Sequence, residues 1–228
     1  MSLTYAIPDL HGRLDLLEQA MSLILAHADN QTGRVVTLGD YVDRGPDSRG
    51  VLELLMQWPF PNLQLIALKG NHEAMMWEEC NNLVETAWWL DNGGIETLSS
   101  YGGGLDIPLR RIIPDHHLRW IEELPLVYAD MHRVFVHAGV DARLPLEQQS
   151  DRTLLWKRYP KGADSGHGRR HVVHGHHANE NAPLLFKGRT NLDGMAWKTG
   201  RLVVGLFSDD EPGGAIEFLE VLAPGLLK

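Results

Sequence analysis

Residues 34–45 read RVVTLGDYVDRG. An apolar, β-branched run, Arg34 to Leu38, stops at Gly39 and gives way to Asp40 and Asp43, with Arg44 directly after. Residues of the first kind favour a pleated, buried strand, and glycine lets the chain turn sharply where the strand ends. The twelve residues therefore read as a strand that delivers carboxylates and a guanidinium at its C-terminal end. The same pattern recurs along the chain. LTYAI (3–7) runs into PDLHG, LQLIAL (63–68) into KGNHE, RVFVH (133–137) into HAGV, and HVVH (171–174) into GHHA. RLVVGLF (201–207) and AIEFLEV (215–221) read as two further strands. Leucines and methionines at helical spacing predict helices over 14–28 and 47–58, and a third from about Glu73 to Leu90. Alternation in the first half followed mostly by strands predicts an α/β fold with two packed sheets or one mixed sheet. In such folds, sites gather at the ends of strands.

Composition narrows the function. With 228 residues and 43% hydrophobic content, the chain is large enough for one sizeable core. No repeat or Pro/Gly/Ser-rich linker divides it, so a single domain over 1–228 is expected. The net charge of −9 argues against nucleic acid or an anionic membrane as partner. No apolar run reaches membrane-spanning length, and the start MSLTYAIPDLHGR lacks a secretory pattern. The single cysteine, Cys80, cannot form an internal disulfide. A cytoplasmic protein is expected. Nothing in the sequence sets an oligomeric state.

The strand ends supply Asp9 and His11, then Asp40, Asp43 and Arg44, then Asn71, His72 and Glu73, then His137. HVVHGHH adds four histidines: His171, His174, His176 and His177. This mixed oxygen–nitrogen set suits Mn, Fe or Zn, and the lack of thiolates argues against structural zinc. Singly, Asp9 and Asp40 read equally well as helix caps, Asn71 as a turn former and His137 as a core residue. Five strand ends carrying such residues beside glycine are harder to account for that way. In an extended chain Asp9 and His11 point the same way, as do His174 and His176, so the second pair competes for one role.

In this order and spacing, DLHG, GDYVDRG, GNHE, HAG and GH resemble the signature set of the PPP-type phosphoprotein phosphatases, most closely the small bacterial and phage serine/threonine members. The likeness extends through WWLDNGGIETLSSYG, LLWKRY and NLDG…TGRL, and so over nearly the whole chain. It implies a calcineurin-like metallophosphoesterase domain: an α/β sandwich of two packed mixed β-sheets flanked by helices, with the metal site at strand C-terminal ends. It also implies two divalent metal ions, Mn first and Fe or Zn as alternatives. Asp9, His11 and Asp40 would hold one; Asp40, Asn71, His137 and His176, the histidine of the Gly–His pair, would hold the other. A hydroxide between them would attack phosphorus in line. Arg44 and Arg158 match the phosphate-binding arginines, His72 the general acid and Asp43 the carboxylate that orients it. The expected substrate is a phosphoprotein or small phosphoester. Two other readings compete: a hydrolase that cleaves diadenosine tetraphosphate symmetrically, whose pattern generally has GNHD, and a non-catalytic scaffold on the same fold.

The chain departs from the family pattern at Pro8, where glycine is usual, at Lys69, where arginine is usual, and at GHHA in place of GHTP. Lys69 keeps the charge of a phosphate-binding arginine without its planar fork. Trp77, Trp88 and Trp89 read as helix core, Cys80 as an ordinary buried thiol, and His116 and His117 as surface or cap residues. The segment 162–168, followed by Arg169 and Arg170, could fold over the site.

Overall fold

The computed structural model describes residues 2–104 and 106–223. Among these residues ten strands form two five-stranded sheets. The first has the order β10-β9-β1-β2-β3, from β1 (Leu3–Ile7), β2 (Gly33–Thr37), β3 (Leu63–Ala67), β9 (Arg201–Ser208) and β10 (Glu217–Leu222). The second has the order β4-β5-β6-β8-β7, from β4 (Val127–Ala129), β5 (Arg133–Val136), β6 (His171–His174), β7 (Leu184–Leu185) and β8 (Arg189–Asn191). Both are mixed. β1, β2 and β3 run parallel, as do β5, β6 and β8, while β9, β10, β4 and β7 join antiparallel.

The alternation of side chains along each strand builds the layers. Tyr5, Ile7 and Val35 face a core completed by α1 (Leu14–Ala28) and α2 (Ser48–Gln57). Their neighbours Ala6 and Val36 face the other way, against Phe135 and Val173 of the second sheet. Val134, Val136 and Val172 then face out against Leu154 and Val140. With both faces buried, these strands are continuously apolar rather than alternating, and so stand out as short apolar runs. Phe135 and Phe207 meet edge to face between the sheets at 5.7 Å.

The helix expected from Glu73 to Leu90 is broken. α3 (Asn71–Cys80) ends before Asn82, which adopts a left-handed φ of 57°, and a short α4 (Thr86–Trp89) leads through a π turn at Leu90–Gly94 into α5 (Ile95–Ser100). α6 (Leu109–Ile112), α7 (Asp115–Glu123), α8 (Asp151–Trp156) and α9 (Ala196–Thr199) follow, with a 3-10 turn at Leu146–Gln148 before α8. His117 on α7 is buried rather than a surface residue, because its Nδ1 meets the Tyr101 hydroxyl at 2.6 Å. Cys80 is buried, and burial pushes its thiol up to about 12. Among the described residues no helix is long and apolar enough to cross a membrane.

Candidate metal and phosphate site

The C-terminal ends of β1, β2, β3, β5 and β6 converge at one edge of the sandwich and carry the polar clusters there. Asp40 is at the centre. Its Oδ1 lies 3.4 Å from His137 Nε2 and its Oδ2 3.5 Å from His11 Nε2. His137 Nε2 is also 2.8 Å from Asn71 Oδ1 and 3.2 Å from His176 Nδ1. Two three-residue groups, His11–Asp40–His72 and Asp40–His137–His176, bring a donor atom from each member within 4.8 Å of the others, and they share Asp40.

The backbone fixes which ring nitrogens face inward. His11 Nδ1 donates to the Val42 carbonyl at 2.8 Å and His137 Nδ1 to the Leu38 carbonyl at 2.9 Å. Each neutral ring therefore turns an Nε2 lone pair towards the cluster. Burial first, then neighbouring cations, push both imidazoles down, His137 to about 3. Burial, and then neighbouring carboxylates, push the carboxyls of Asp9 and Asp40 up, and Asp193 adds to both. Apart from Arg44, which reaches His11 Nε2, lone pairs of imidazoles, an amide oxygen and buried carboxylates thus face one another with too few donors among them. Divalent cations satisfy such a donor set, so the residues fit the metals that the family pattern implies.

This convergence depends on unusual backbone. His11, Asp40, Asp43, Arg44 and His176 have φ of 45°, 55°, 72°, 70° and 61°. These left-handed conformations cost non-glycine residues free energy and recur at functional sites. Gly39 and Gly70 lie against each other, and a Cβ on either would collide with the other loop's backbone. The left-handed turn at His11 means the chain is not extended between Asp9 and His11. Asp9 accepts the His176 backbone N–H, at 3.2 and 3.1 Å to its two oxygens, and lies close enough to Asp193 and Asp40 for their charges to push its carboxyl up, after burial. Likewise His174 and His176 diverge, because His176 lies past the end of β6 in the left-handed turn. His174 Nε2 meets Arg189 at 3.0 Å, away from Asp40. His171 bonds Thr190, and His177 bonds the Lys157 carbonyl.

Beside the cluster, His72 Nδ1 contacts Asp43 Oδ2 at 2.7 Å. Asp43 is fully buried and receives hydrogen bonds from Thr97 Oγ1 (2.7 Å) and Trp89 Nε1 (3.1 Å). Burial pushes its carboxyl up to about 7 despite those donors, and pushes His72 down. Arg44 donates to His11 Nε2 at 2.7 Å and His72 Nε2 at 2.9 Å, and its guanidinium lies 5.5 Å from the Trp197 ring centre. Arg158 is exposed, and its charge contributes to lowering His137 and His176 after burial. Lys69 is not brought to the cluster. Its Nζ donates 2.9 Å to the Glu122 carbonyl in the last turn of α7, where unpaired helix carbonyls attract a cation.

Three contributions escaped the sequence reading. Trp89 is core, as expected, yet it also orients Asp43, whereas Trp88 is 40% exposed, 6.1 Å from Trp156. Trp77, Trp88 and Trp156 wall a cleft of about 940 Å³. Trp156 also lies 6.2 Å from the His176 ring, so this cleft opens beside the cluster. Glu73 accepts the N–H groups of Gly70, Asp40, Tyr41 and Val42 at 2.7–3.2 Å. It faces backbone, not the open side. Asp193 follows β8, a strand whose RTN sequence carries no apolar signal; the rule that polar residues follow strands would have found it had the strand been legible.

A Metallophos family model, described as calcineurin-like phosphoesterase, matches residues 4–206. The chain is 35% identical over 91 residues, 40% of its length, to serine/threonine-protein phosphatase 1 of Salmonella typhimurium. It is 29% identical over 163 residues, 70% of its length, to the symmetrical bis(5'-nucleosyl)-tetraphosphatase of Nitrosospira multiformis. The matches span 38% of the first relative and 52% of the second, so the chain corresponds to about half or less of those proteins. The crystal structure of a metallophosphoesterase from Sphaerobacter thermophilus superposes with a TM-score of 0.56 at 17% identity, covering 98% of this chain and 89% of that one. That likeness is one of fold.

Proposed function

The chain belongs to the calcineurin-like phosphoesterase family, and from that premise we propose that it is a phosphomonoester hydrolase using two divalent cations, Mn first, on phosphoserine and phosphothreonine in proteins. The observation that carries this reading is the shared carboxylate. Asp40 faces His11 with one oxygen and His137 with the other, as a residue serving two cations must. His11, Asp40 and Asp9 would hold one cation; Asp40, Asn71, His137 and His176 the other. When bound, such a pair would supply Lewis acidity to activate water and neutralise phosphate charge.

The protein's own groups do the rest. Arg44 and Arg158 bind phosphate oxygens, their donors following the charge that builds as the bond to phosphorus forms. In this structure His72 Nε2 accepts from Arg44; once phosphate draws Arg44 away, Nε2 would carry the proton for the leaving alkoxide. Asp43 holds Nδ1 and stabilises the imidazolium, and Trp89 and Thr97 keep Asp43 in place. The cleft beside the cluster bears Glu78, Glu122 and Asp151 against Arg152 among its walls, and Lys69 is already engaged with a carbonyl. That balance suits a peptide better than a chain of phosphates.

A second reading is supported by the longer match to a symmetrical bis(5'-nucleosyl)-tetraphosphatase. One panel separates the two: with Mn²⁺ present, kcat/KM is measured on phosphoserine, phosphothreonine and phosphotyrosine peptides and on diadenosine tetraphosphate. A preference for the dinucleotide overturns the phosphoprotein reading, and no turnover on any of them leaves the non-catalytic scaffold. His72→Asn should slow alkyl phosphates by about 10²–10⁴-fold and aryl phosphates with good leaving groups far less. Equal losses on both would remove His72 as the acid.

A further inference from the structure

The opposite end of the second sheet holds a second polar cleft. β5 starts at Arg133 and β6 at His171, so their first residues lie a strand's length, on the order of 10–15 Å, from the donor cluster at His137 and His176. A cleft of about 560 Å³ opens there, between the segment 164–171, Lys187–Gly188 and Pro212–Gly213. The segment that position alone offered as a cover for the metal site forms a wall of this cleft.

Its walls are held in place. His167 and Arg170 exchange backbone hydrogen bonds of 2.9 and 3.0 Å across a tight turn, with Gly168 at φ 60°. The Gly188 N–H donates to the Asp164 carbonyl at 2.6 Å. On the other side the buried Arg133 braces residues 208–213 by donating to the carbonyls of Ser208, Glu211 and Gly213, at 2.7, 2.6 and 3.1 Å. Among the described residues Arg133 forms no ion pair, although the charges of Asp130 and Asp209 reach it and partly offset its burial.

Three further cations line the cleft: Arg169, Arg170 and Lys187. Among the described residues none of the three side chains donates a hydrogen bond or forms an ion pair. Other cations of this acidic chain do form ion pairs, as at Arg34–Asp209, Arg49–Glu53, Arg110–Asp115 and Lys198–Glu180; what distinguishes these three is that they share one cleft. Among the described residues Asp164 is the one carboxylate on the cleft wall. Unpaired cations concentrated in an ordered concavity on a protein of net charge −9 mark a place built to meet negative charge.

We propose that this cleft is a second anion site, separate from the metal cluster, for a small polyanion carrying condensed phosphate groups. Arginine forks match phosphate oxygens in pairs. The volume is that of a small-molecule site; Gly166 and Gly188 pack against each other's backbone, while Gly168 and Gly213, with open space beside them, let a ligand approach the backbone. The inference is independent of what the metal cluster hydrolyses.

The test is titration of the whole protein with inorganic tripolyphosphate, followed by backbone amide chemical shifts. Shifts at Gly168, Gly188 and Gly213 are expected, with affinity weakened about tenfold or more in Arg169→Ser/Arg170→Ser/Lys187→Ser. The triple variant should keep its thermal midpoint and hydrolyse an aryl phosphate within about twofold of wild type. Shifts confined to amides around Asp40, Asn71 and His176, unchanged in the variant, would overturn the proposal. So would saturation of the cleft by an oligoglutamate peptide with none by tripolyphosphate.

Discussion

His174 and His176 lie two residues apart, both buried, yet face different neighbours. His176 Nδ1 is 3.2 Å from His137 Nε2, while His174 is held between Arg189 and the Gly175 carbonyl. The difference is one left-handed residue, His176 itself. His176→Ala should therefore lose one metal equivalent by mass spectrometry, whereas His174→Ala should keep both and lose about 1–3 kcal/mol of stability from an unsatisfied Arg189. Equal metal loss in both variants would contradict this assignment. The ligand-type residues themselves were legible, because caps, turns and core packing do not call for imidazoles and carboxylates beside glycine at five strand ends at once. Which atoms converge was not: a period-two argument assumes an extended chain, and His11, Asp40 and His176 leave it.

α3 begins where β3 ends, and its first turn joins two loops. Asp40 Oδ1 accepts the His72 N–H at 3.0 Å, placing a carboxylate at the positive end of the helix. Glu73, one residue on, collects four N–H groups of the neighbouring turns. Burial raises its carboxyl to about 7, with those donors opposing the rise. Glu73→Ala should cost about 3–5 kcal/mol in chemical denaturation and lower metal affinity, because buried donors lose their acceptor; a loss below about 1 kcal/mol would show that water replaces the carboxylate. For the same reason the GNHE motif is a weak guide to substrate: the glutamate shapes the turn from behind. α7 carries a pH-sensitive element. Burial, then His116, lowers His117 to about 4 from its usual 6.5. Above pH 6.5 neither folded nor unfolded His117 is charged. Between 6.5 and 4 only the unfolded chain takes up the proton, so stability falls as pH falls through that window and levels off below it. Urea midpoints from pH 7 to 4 should show an acid-side loss on the order of 2 kcal/mol that His117→Gln reduces; parallel curves for the two proteins would refute it.

At the scale of the molecule, two sheets bring strand ends from five places in the chain to one edge, and the cluster they make concentrates buried carboxylates and lone pairs. Cations bound there bind only the folded chain. Chelation should therefore lower the thermal midpoint by roughly 5–15 °C, the effect of about 2–4 kcal/mol of linked binding, and Mn²⁺ should restore it. A midpoint indifferent to chelator would mean the donors are satisfied without a cation. The amino-acid sequence by itself determined that the fold is α/β, where seven strands and two helices run, and which residue types wait at the strand ends, because apolar periodicity and glycine placement are local properties. It missed β4, β7 and β8, which are short or polar and exist only by pairing with stronger neighbours. Only the tertiary structure decided that Asp40 stands between two donor groups, that Trp89 and Thr97 hold Asp43, that Lys69 is taken up by the end of α7, and that Arg169 and Arg170 lie at the far end of the sheet. Each of those depends on how separate strand ends are brought side by side, and on left-handed turns that no local pattern announces.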